Sequence, residues 1–336
     1  RLPDRRHLAD VQPLNLYHPV AAIMLILDAD QVKELLDWRG TVAAIETMWA
    51  QSCTIPERHH YQIPLDDQPD ATLLLMPAWI AGRYTGVKLV NVYPGNSGRG
   101  LETIQGIYLL IDGTNGEMLA QLDGSELTAR RTVCASALAS KYLSRKDAHH
   151  LLIVGSGRLA RYLGFAHHAV RPLHKVSIWA RNRDKGIDVA ENYRAAGFDC
   201  NLIDDLQAGC ADADIISCAT MATEPLISGK WLNSGTHLDL VGGFKPTMRE
   251  ADDEAVARST LFVDTRAGAL AEAGDLLGPM ERGVIGRDDI AAELSELVSG
   301  QHRGRRDRDE ITLFKSVGAA IEDLAAAVKC YESCTS

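Results

Sequence analysis

The chain has 336 residues, a length that allows two domains with a core each, and its 46% of hydrophobic residues is typical of a globular protein. Its formal net charge of −10 argues against a nucleic-acid-binding surface. Apolar runs such as residues 20–26 and 73–80 are too short to span a membrane, so we expect neither nucleic-acid nor membrane partners.

Seven cysteines are present, an odd number without a CxxC pair, so neither a disulfide framework nor a zinc site is indicated. We expect no bound metal and a reducing, cytoplasmic location. Residues 1–20 lack the apolar stretch of a signal peptide. One interpretation of these residues is a disordered leader.

Residues 28–50 place apolar side chains at helical spacing behind a capping Asp28, and a break at Gly40 predicts two helices there. A different pattern follows between residues 58 and 122, where short apolar runs alternate with Pro77, PGN and DGTNG. This pattern predicts an antiparallel sheet with at least one hairpin. The runs cover residues 72–76, 86–92, 104–111 and 117–122.

The second half of the chain has the periodicity of an α/β protein. Residues 127–143 are helical in pattern, and strand and helix signals then alternate from residue 151 to about residue 265, which predicts a Rossmann-type doubly wound parallel sheet. RGRRDRD at residues 303–309 lies in a polar loop, and its interleaved aspartates favour a solvated surface. A long amphipathic helix is predicted over residues 314–331, packed back on the first domain.

Residues 151–183 carry the pattern of a dinucleotide-binding unit: a buried strand, a glycine turn, a helix and a second strand. Gly155 permits a sharp bend, Gly157 lets the backbone approach a phosphate, and Ala160 is small enough for close packing of helix on strand. We expect the helix to begin near Arg158, with its free N–H groups directed at the phosphates. The predicted cofactor contacts of the turn are Gly155, Ser156, Gly157, Arg158, Leu159 and Ala160.

The end of the second strand indicates which dinucleotide binds. Where an NAD-dependent enzyme usually has an acidic residue for the ribose hydroxyl, this chain has Arg181, Asn182 and Arg183. A guanidinium binds a 2′-phosphate through two charge-assisted hydrogen bonds, so NADPH is the expected cofactor, with NADH also accepted. The alternative is that Arg181 and Arg183 are ordinary solvated charges.

Three basic residues of the first half occur in unusual contexts. Arg58 follows CTIPE, Lys88 lies inside the apolar run GVKLVNV, and Arg131 lies in the helical segment LTARRTVCAS. A buried lysine needs an opposite charge, which a substrate carboxylate can supply. Pattern alone favours the plainer alternative of an edge strand with a solvated Lys88, and of an exposed helix face carrying Arg131.

Several segments in order along the chain resemble the ornithine cyclodeaminase/μ-crystallin family. They are GVKLVNVYPGN, LDGSELTARRTVCASALASKYL, LLIVGSGRLA, THLDLVGGFKPTMREAD and ITLFKSVGAAIEDLAAA. The resemblance implies a homodimer whose Rossmann domain covers residues 129–310. It implies a second, α+β domain for substrate binding and dimerisation, made of residues 21–128 and 311–336. It also implies that Arg58, Lys88 and Arg131 bind the substrate carboxylate.

The same resemblance suggests residues near the nicotinamide and the substrate ring. Phe244, expected to form a wall of the substrate pocket, occupies the position where cyclodeaminases of the family carry an acid–base aspartate. An apolar ring can neither accept nor donate a proton, which speaks against an ornithine cyclodeaminase. The residues expected near the nicotinamide are Thr220, Met221, Ala222 and Gly242.

The segment GGFKPTMREAD most resembles a branch that reduces cyclic ketimines, the bacterial Δ1-pyrroline-2-carboxylate reductases. This implies hydride transfer from NAD(P)H to the C=N carbon of Δ1-pyrroline-2-carboxylate, giving L-proline, or of Δ1-piperideine-2-carboxylate, giving L-pipecolate. Water is the first candidate for the proton donor, and Lys88, the one candidate catalytic residue, is the alternative. The alternatives are a cyclodeaminase-type lyase, another 2-imino-acid reductase similar to alanine dehydrogenase, and a cofactor binder without turnover.

Overall fold

The computed structural model describes residues 24–335, so the predicted leader at residues 1–20 lies outside the described residues. The first part of the chain forms a six-stranded sheet, whose strands are β1 (Leu25–Leu27), β2 (His59–Ile63), β3 (Ala71–Ile80), β4 (Tyr84–Val92), β5 (Ile104–Asp112) and β6 (Met118–Asp123). The order across the sheet is β1-β6-β5-β4-β3-β2, antiparallel apart from the pair of β1 and β6. This confirms the antiparallel pattern and the hairpin predicted at residues 112–116.

The second sheet has eight parallel strands and gives the Rossmann-type arrangement expected from the sequence. Its strands are β7 (His150–Val154), β8 (Lys175–Trp179), β9 (Asp199–Leu202), β10 (Ile215–Cys218), β11 (His237–Leu240), β12 (Thr260–Val263), β13 (Ile290–Glu293) and β14 (Thr312–Lys315). They lie in the order β13-β12-β14-β11-β10-β7-β8-β9. The predicted fold class is therefore confirmed.

Eleven helices of the described chain connect and cover the two sheets. They are α1 (Ala29–Leu35), α2 (Trp38–Trp49), α3 (Gly124–Leu143), α4 (Ala160–His168), α5 (Arg183–Ala195), α6 (Leu206–Asp212), α7 (Asp253–Ala257), α8 (Arg266–Glu272), α9 (Gly274–Glu281), α10 (Leu294–Val298) and α11 (Ala320–Thr335). The helices α1, α3 and α11 pack against the six-stranded sheet, and α2 packs on α3 and α11. Helix α3 also contacts α4, β11 and β14. Helix α3 therefore joins the two halves of the molecule.

Local capping explains where the first two helices divide. The Asp28 carboxylate accepts the Gln31 backbone N–H at the start of α1, and the Asp37 carboxylate accepts the Gly40 N–H, at 2.7 Å, at the start of α2. Two helices are confirmed, but the break predicted at Gly40 is wrong, because a second capping aspartate begins α2 three residues earlier.

The prediction that Pro77 separates two strands is wrong, because Pro77 lies inside β3. Strand β2 pairs only with the first half of β3, as far as Leu75. At Pro77, β3 is therefore an edge strand on that side, and an edge tolerates a residue without an N–H. The short strands β1 and β2 fall outside the predicted runs.

The last strand, β14, occupies the start of the segment that was predicted to be helical. Phe314 and Lys315 belong to β14, in the middle of the parallel sheet between β11 and β12, rather than to the helix predicted over residues 314–331. Only α11 continues as a helix, and it packs on α2, α3 and the six-stranded sheet as expected. The parallel sheet thus extends past the boundary predicted at residue 310, because β14 pairs with strands more than 50 residues away in the chain.

Candidate active site

Lys88 and Arg131 converge on one buried carboxylate. Lys88 lies on β4, an interior strand, with only 2% of its surface exposed, so the edge-strand alternative is wrong. Its Nζ lies 2.8 Å from Oδ2 of Asp323, and the Arg131 Nε donates to Oδ1 of the same side chain at 2.8 Å. Arg131 also donates through Nη1 to Oε2 of Glu322, at 2.5 Å.

Arg58 lies on the other side of Gly318 from Arg131. Its Nη2 donates to the Gly318 carbonyl at 2.5 Å, and its Nη1 is 3.4 Å from a carboxylate oxygen of Glu272. Gly318 has φ +83°, and a Cβ there would come within 2.7 Å of the Arg131 guanidinium. Glycine is required here. The three predicted cations are thus brought together around one turn of chain and the start of α11.

The sequence analysis missed the two carboxylates that hold these cations. Glu322 and Asp323 are fully buried in the first turn of α11, in the segment AAIEDLAAAV. Adjacent acidic residues inside an alanine-rich apolar helix face were the available signal, because buried carboxylates need a partner. No nearby sequence identifies that partner, since Lys88 lies 235 positions away.

Burial sets the charge states in this cluster. Desolvation, assisted by the positive charge of Arg131, lowers the pKa of the Lys88 ammonium to about 8, so Lys88 remains largely protonated at neutral pH. Burial raises the pKa of Glu322 to about 7. Tyr108 pairs with Lys88 across β4 and β5, and its buried hydroxyl has no hydrogen-bond partner within residues 24–335. The cluster therefore combines three cations with three carboxylates and has hydrogen-bonding capacity left over.

The glycine turn after β7 fits a pyrophosphate. Gly155 has φ +133°, and a Cβ there would lie 2.6 Å from the carbonyl oxygen of Ala219, while Gly157 faces open space. Between residues 24 and 335, no acceptor takes the backbone N–H groups of residues 156–159. Free N–H groups before a helix are suited to a phosphate. Helix α4 begins at Ala160, two residues after the predicted start at Arg158.

The three residues after β8 differ in how far their side chains are already engaged. The Asn182 side chain accepts the Lys185 N–H, at 3.0 Å, and caps α5, while the Arg183 guanidinium pairs with Asp204. Arg181 is exposed and has no hydrogen bond or ion pair in the described chain. Of the two arginines, Arg181 is the one whose guanidinium is available for a ligand.

One buried carboxylate ties together the loops predicted to lie near the nicotinamide. Glu250 accepts the backbone N–H of Thr220 at 2.7 Å and that of Gly242 at 2.8 Å. A Cβ on Gly242 would collide with the Thr220 backbone, so the loops can approach only through glycine. Burial raises the pKa of Glu250 to about 7, with the Lys315 ammonium opposing the rise. The sequence analysis did not identify Glu250.

The remaining predicted loop residues are more exposed. Met221 has 73% of its surface accessible and Ala222 is half-buried. The Phe244 ring follows the Gly242–Gly243 turn with 38% exposed, and the Lys245 Nζ lies 5.7 Å from its centre. The position of Phe244 therefore offers an apolar surface and no titratable group.

Helix α3 connects the glycine turn to the cation cluster. Glu126, in its first turn, pairs with Arg158 of the glycine turn, and Arg131 lies five residues further along the same helix. Five residues advance an α-helix by about 7.5 Å. The glycine turn and Arg131 are thus tied to neighbouring turns of one helix.

The described residues show neither a membrane span nor a metal cluster. None of the helices between residues 24 and 335 is both long and apolar enough to cross a bilayer. Within the same part of the chain, no three His, Cys, Asp or Glu side chains are grouped so that they could hold a metal ion.

Comparisons with known proteins identify the family and the fold. The model of the ornithine cyclodeaminase/mu-crystallin family matches residues 23–336. A Δ1-pyrroline-2-carboxylate reductase from Paracoccus denitrificans is 40% identical over 293 residues, which cover 87% of this chain and 91% of that protein.

Solved structures show the same fold over nearly the whole chain. The Δ1-pyrroline-2-carboxylate reductase of Thermococcus litoralis, solved with NADH and L-proline, superposes with a TM-score of 0.87 at 34% identity, covering 93% of this chain and 98% of that one. An archaeal alanine dehydrogenase dimer with bound NAD superposes with a TM-score of 0.85 at 26% identity, covering 93% and 96%. The similarity extends through both sheets.

Proposed function

The chain belongs to the ornithine cyclodeaminase/mu-crystallin family, and from that premise we propose that it reduces Δ1-pyrroline-2-carboxylate to L-proline. The six-membered Δ1-piperideine-2-carboxylate, which would give L-pipecolate, is the second expected substrate. The enzyme is then an NAD(P)H-dependent oxidoreductase acting on C=N bonds.

The observation that carries this proposal is the cation cluster, because its member Arg131 lies on α3, the helix whose Glu126 also pairs with the glycine turn. Lys88, Arg131 and Arg58 supply positive charge for one carboxylate, which the imino acid carries next to its C=N bond. Ion pairs with these groups would orient the ring for reaction. Asp323 is the counter-charge that keeps Lys88 and Arg131 in place.

Residues that follow three strands of the parallel sheet, β7, β10 and β11, would hold the cofactor. The free N–H groups at residues 156–159 would bind the pyrophosphate, and the loops at Thr220 and Gly242 would lie beside the nicotinamide. A bound dihydronicotinamide would supply the hydride that the imine carbon accepts. The Phe244 ring would form an apolar wall, and Lys88, whose lowered pKa favours proton release, would give a proton to the imine nitrogen.

NADPH is the preferred cofactor in this proposal, and NADH is also accepted. The support is the unpaired, exposed guanidinium of Arg181 at the end of β8, where a 2′-phosphate would lie. Arg183 contributes less, because Asp204 already neutralises it. The structural relatives were solved with NADH or NAD, so the comparison of both cofactors is part of the test.

A spectrophotometric assay tests the reaction directly. Oxidation of NADPH and of NADH is followed at 340 nm with Δ1-pyrroline-2-carboxylate, and L-proline formation is quantified by chromatography. We expect one proline per cofactor consumed. A parallel incubation with L-ornithine and a catalytic amount of NAD tests the lyase alternative. Ammonia released from ornithine without net cofactor change, with no turnover of the imine, would replace the reductase by the lyase.

A homodimer is the assembly we propose, formed through the face of the six-stranded sheet turned away from α11. The face is apolar and its side chains are only half-buried in one chain, so a second copy would remove them from water. Size-exclusion chromatography with light scattering should give the mass of two chains for the wild type and of one chain for Leu109→Asp. A monomeric wild type would contradict the proposal. The residues in two rows across β3, β4 and β5 are Leu75, Leu89 and Ile107, then Pro77, Val87 and Leu109.

A further inference from the structure

A second cationic cavity lies at the opposite edge of the parallel sheet. The glycine turn follows the carboxyl end of β7, whereas this cavity, of about 630 Å³, is lined by residues that precede β7 and β14. Eight of its twelve lining residues are Lys or Arg, and two are Asp. The loop predicted to be merely solvated, RGRRDRD, supplies one wall.

Half of these cations are neutralised by nearby carboxylates. Arg308 lies 2.7 Å from Asp147, and Arg306 lies 2.8 Å from Glu310. The two other neutralised cations and their partners are Lys141 with Glu46, and Arg145 with Asp214. The excess positive charge of the cavity therefore comes from the remaining four cations.

Arg171 and Arg305 have no carboxylate partner in the described chain. Arg171 is 7% exposed and donates to the carbonyls of Ser140, Lys141 and Ser144 at the end of α3. Arg305 donates to the Leu143 carbonyl, and burial lowers its pKa to about 10. The carboxyl end of a helix carries about half a negative charge, so the end of α3 can offset only part of the positive charge of these two guanidinium groups.

Lys146 and Arg303 complete the excess of positive charge. Lys146 is exposed and has no hydrogen bond or ion pair within residues 24–335. The side chain of Arg303 makes one long hydrogen bond, of 3.4 Å, to the Arg306 carbonyl. Both side chains border the cavity and have donors free. Within the described residues, the lining holds one carboxylate without an ion pair, Asp307, against these four cations. The remaining positive charges repel one another unless an anion binds between them.

We propose that this cavity binds a small polyanion that carries phosphate groups, at a site separate from the cofactor turn. Arg171 and Arg305 form its rigid floor, and Lys146 and Arg303 are the mobile groups that close on the ligand. Guanidinium groups donate paired hydrogen bonds to phosphate oxygens, and the cavity is large enough for a diphosphate. Because the chain as a whole has a net charge of −10, it does not attract anions in general, and the attraction is local to this cavity.

Calorimetric titration with inorganic pyrophosphate, at constant ionic strength and with saturating NADPH to occupy the glycine turn, tests the site. We expect saturable binding of one pyrophosphate per chain in this cavity, weakened at least about tenfold by Lys146→Ala combined with Arg303→Ala. These residues are exposed, so the variant should fold. The matched control is Lys230→Ala with Arg287→Ala, two exposed cations away from the cavity, and it should bind as the wild type does.

Two further measurements separate this site from others. Arg181→Ala should leave the cavity's pyrophosphate binding unchanged, since Arg181 lies near the glycine turn. Citrate should bind at least several-fold more weakly than pyrophosphate. The proposal is overturned if pyrophosphate does not saturate, if the Lys146 and Arg303 variant binds normally, if citrate binds equally well, or if only Arg181→Ala abolishes binding. Tighter binding of a DNA duplex, lost in the same variant, would likewise overturn it in favour of nucleic acid.

Discussion

The substrate end and the cofactor end of the candidate site use arginine and lysine in opposite ways. Lys88 and Arg131 are buried and already paired with Asp323, whereas Arg181 is exposed and unpaired within the described residues. The buried cations are held in one geometry before any ligand arrives. Arg181 gains a partner only when a ligand brings one.

This difference teaches what each end contributes. A buried, preorganised charge changes both orientation and reactivity when it is removed, because its partner is left unpaired. An exposed charge adds affinity for one feature of a ligand, and solvent weakens its effect. We therefore expect the substrate end to determine turnover and the cofactor end to determine preference between two cofactors.

The largest effect is expected at Lys88. Lys88→Met removes the ammonium and leaves Asp323 with Arg131 alone, and kcat/KM for the imine should fall about 1000-fold, equivalent to about 4 kcal/mol. Affinity for NADPH, measured by fluorescence titration, should stay within about twofold. Kinetics equal to the wild type would remove Lys88 from the site, and a loss of NADPH affinity as large as that of turnover would indicate a structural role.

Arg181 should affect one cofactor only. Arg181→Asp places a carboxylate where the 2′-phosphate is expected, so the KM for NADPH should rise about 50-fold while that for NADH changes less than about threefold. Arg183→Ala is the matched variant, and its effect on NADPH should be within about threefold because Asp204 already pairs with Arg183. Equal changes for both cofactors after Arg181→Asp would refute the phosphate contact.

The same contrast explains what could be predicted from the sequence. The glycine turn and the strands around it are local patterns, so Gly155, Gly157 and the residues after β8 were found from spacing. Strand β14 was missed because it has four residues, and its partners β11 and β12 come from distant parts of the chain. Short strands in a parallel sheet are defined by such non-local pairing.

The buried cations were harder to predict than the glycine turn. From pattern alone, Lys88 was better explained as an edge residue, and the resemblance to a family was needed to place it in a site. The reason is physical, since its charge is stabilised by Asp323 from the last helix and by nothing nearby in sequence. Glu250 was missed for a related reason, because the three backbone N–H groups that its carboxylate accepts come from two separate loops.

The pH dependence should report the buried end specifically. Because burial lowers the pKa of Lys88 to about 8, the ammonium loses its proton as the pH rises through that value, and the carboxylate loses a partner. We expect kcat/KM for the imine to fall about tenfold between pH 7 and pH 9. The guanidinium of Lys88→Arg stays charged over this range, so the residual activity of this variant should not fall between pH 7 and pH 9. If its kcat/KM falls as that of the wild type does, another group is responsible for the titration.

The smallest effect is expected from Glu250, a positioning residue of the cofactor end that is nevertheless buried. In Glu250→Gln one acceptor oxygen becomes an NH₂ group, which cannot accept the N–H of both Thr220 and Gly242. One of the two loops is then released, and the Kd values for NADPH and NADH should rise together by about fivefold, with the KM for the imine nearly unchanged. Glu224→Gln, at an exposed position, is the control. A change in the preference between the two cofactors would contradict this role, because Glu250 lies with the nicotinamide loops and Arg181 alone is expected to distinguish the 2′-phosphate.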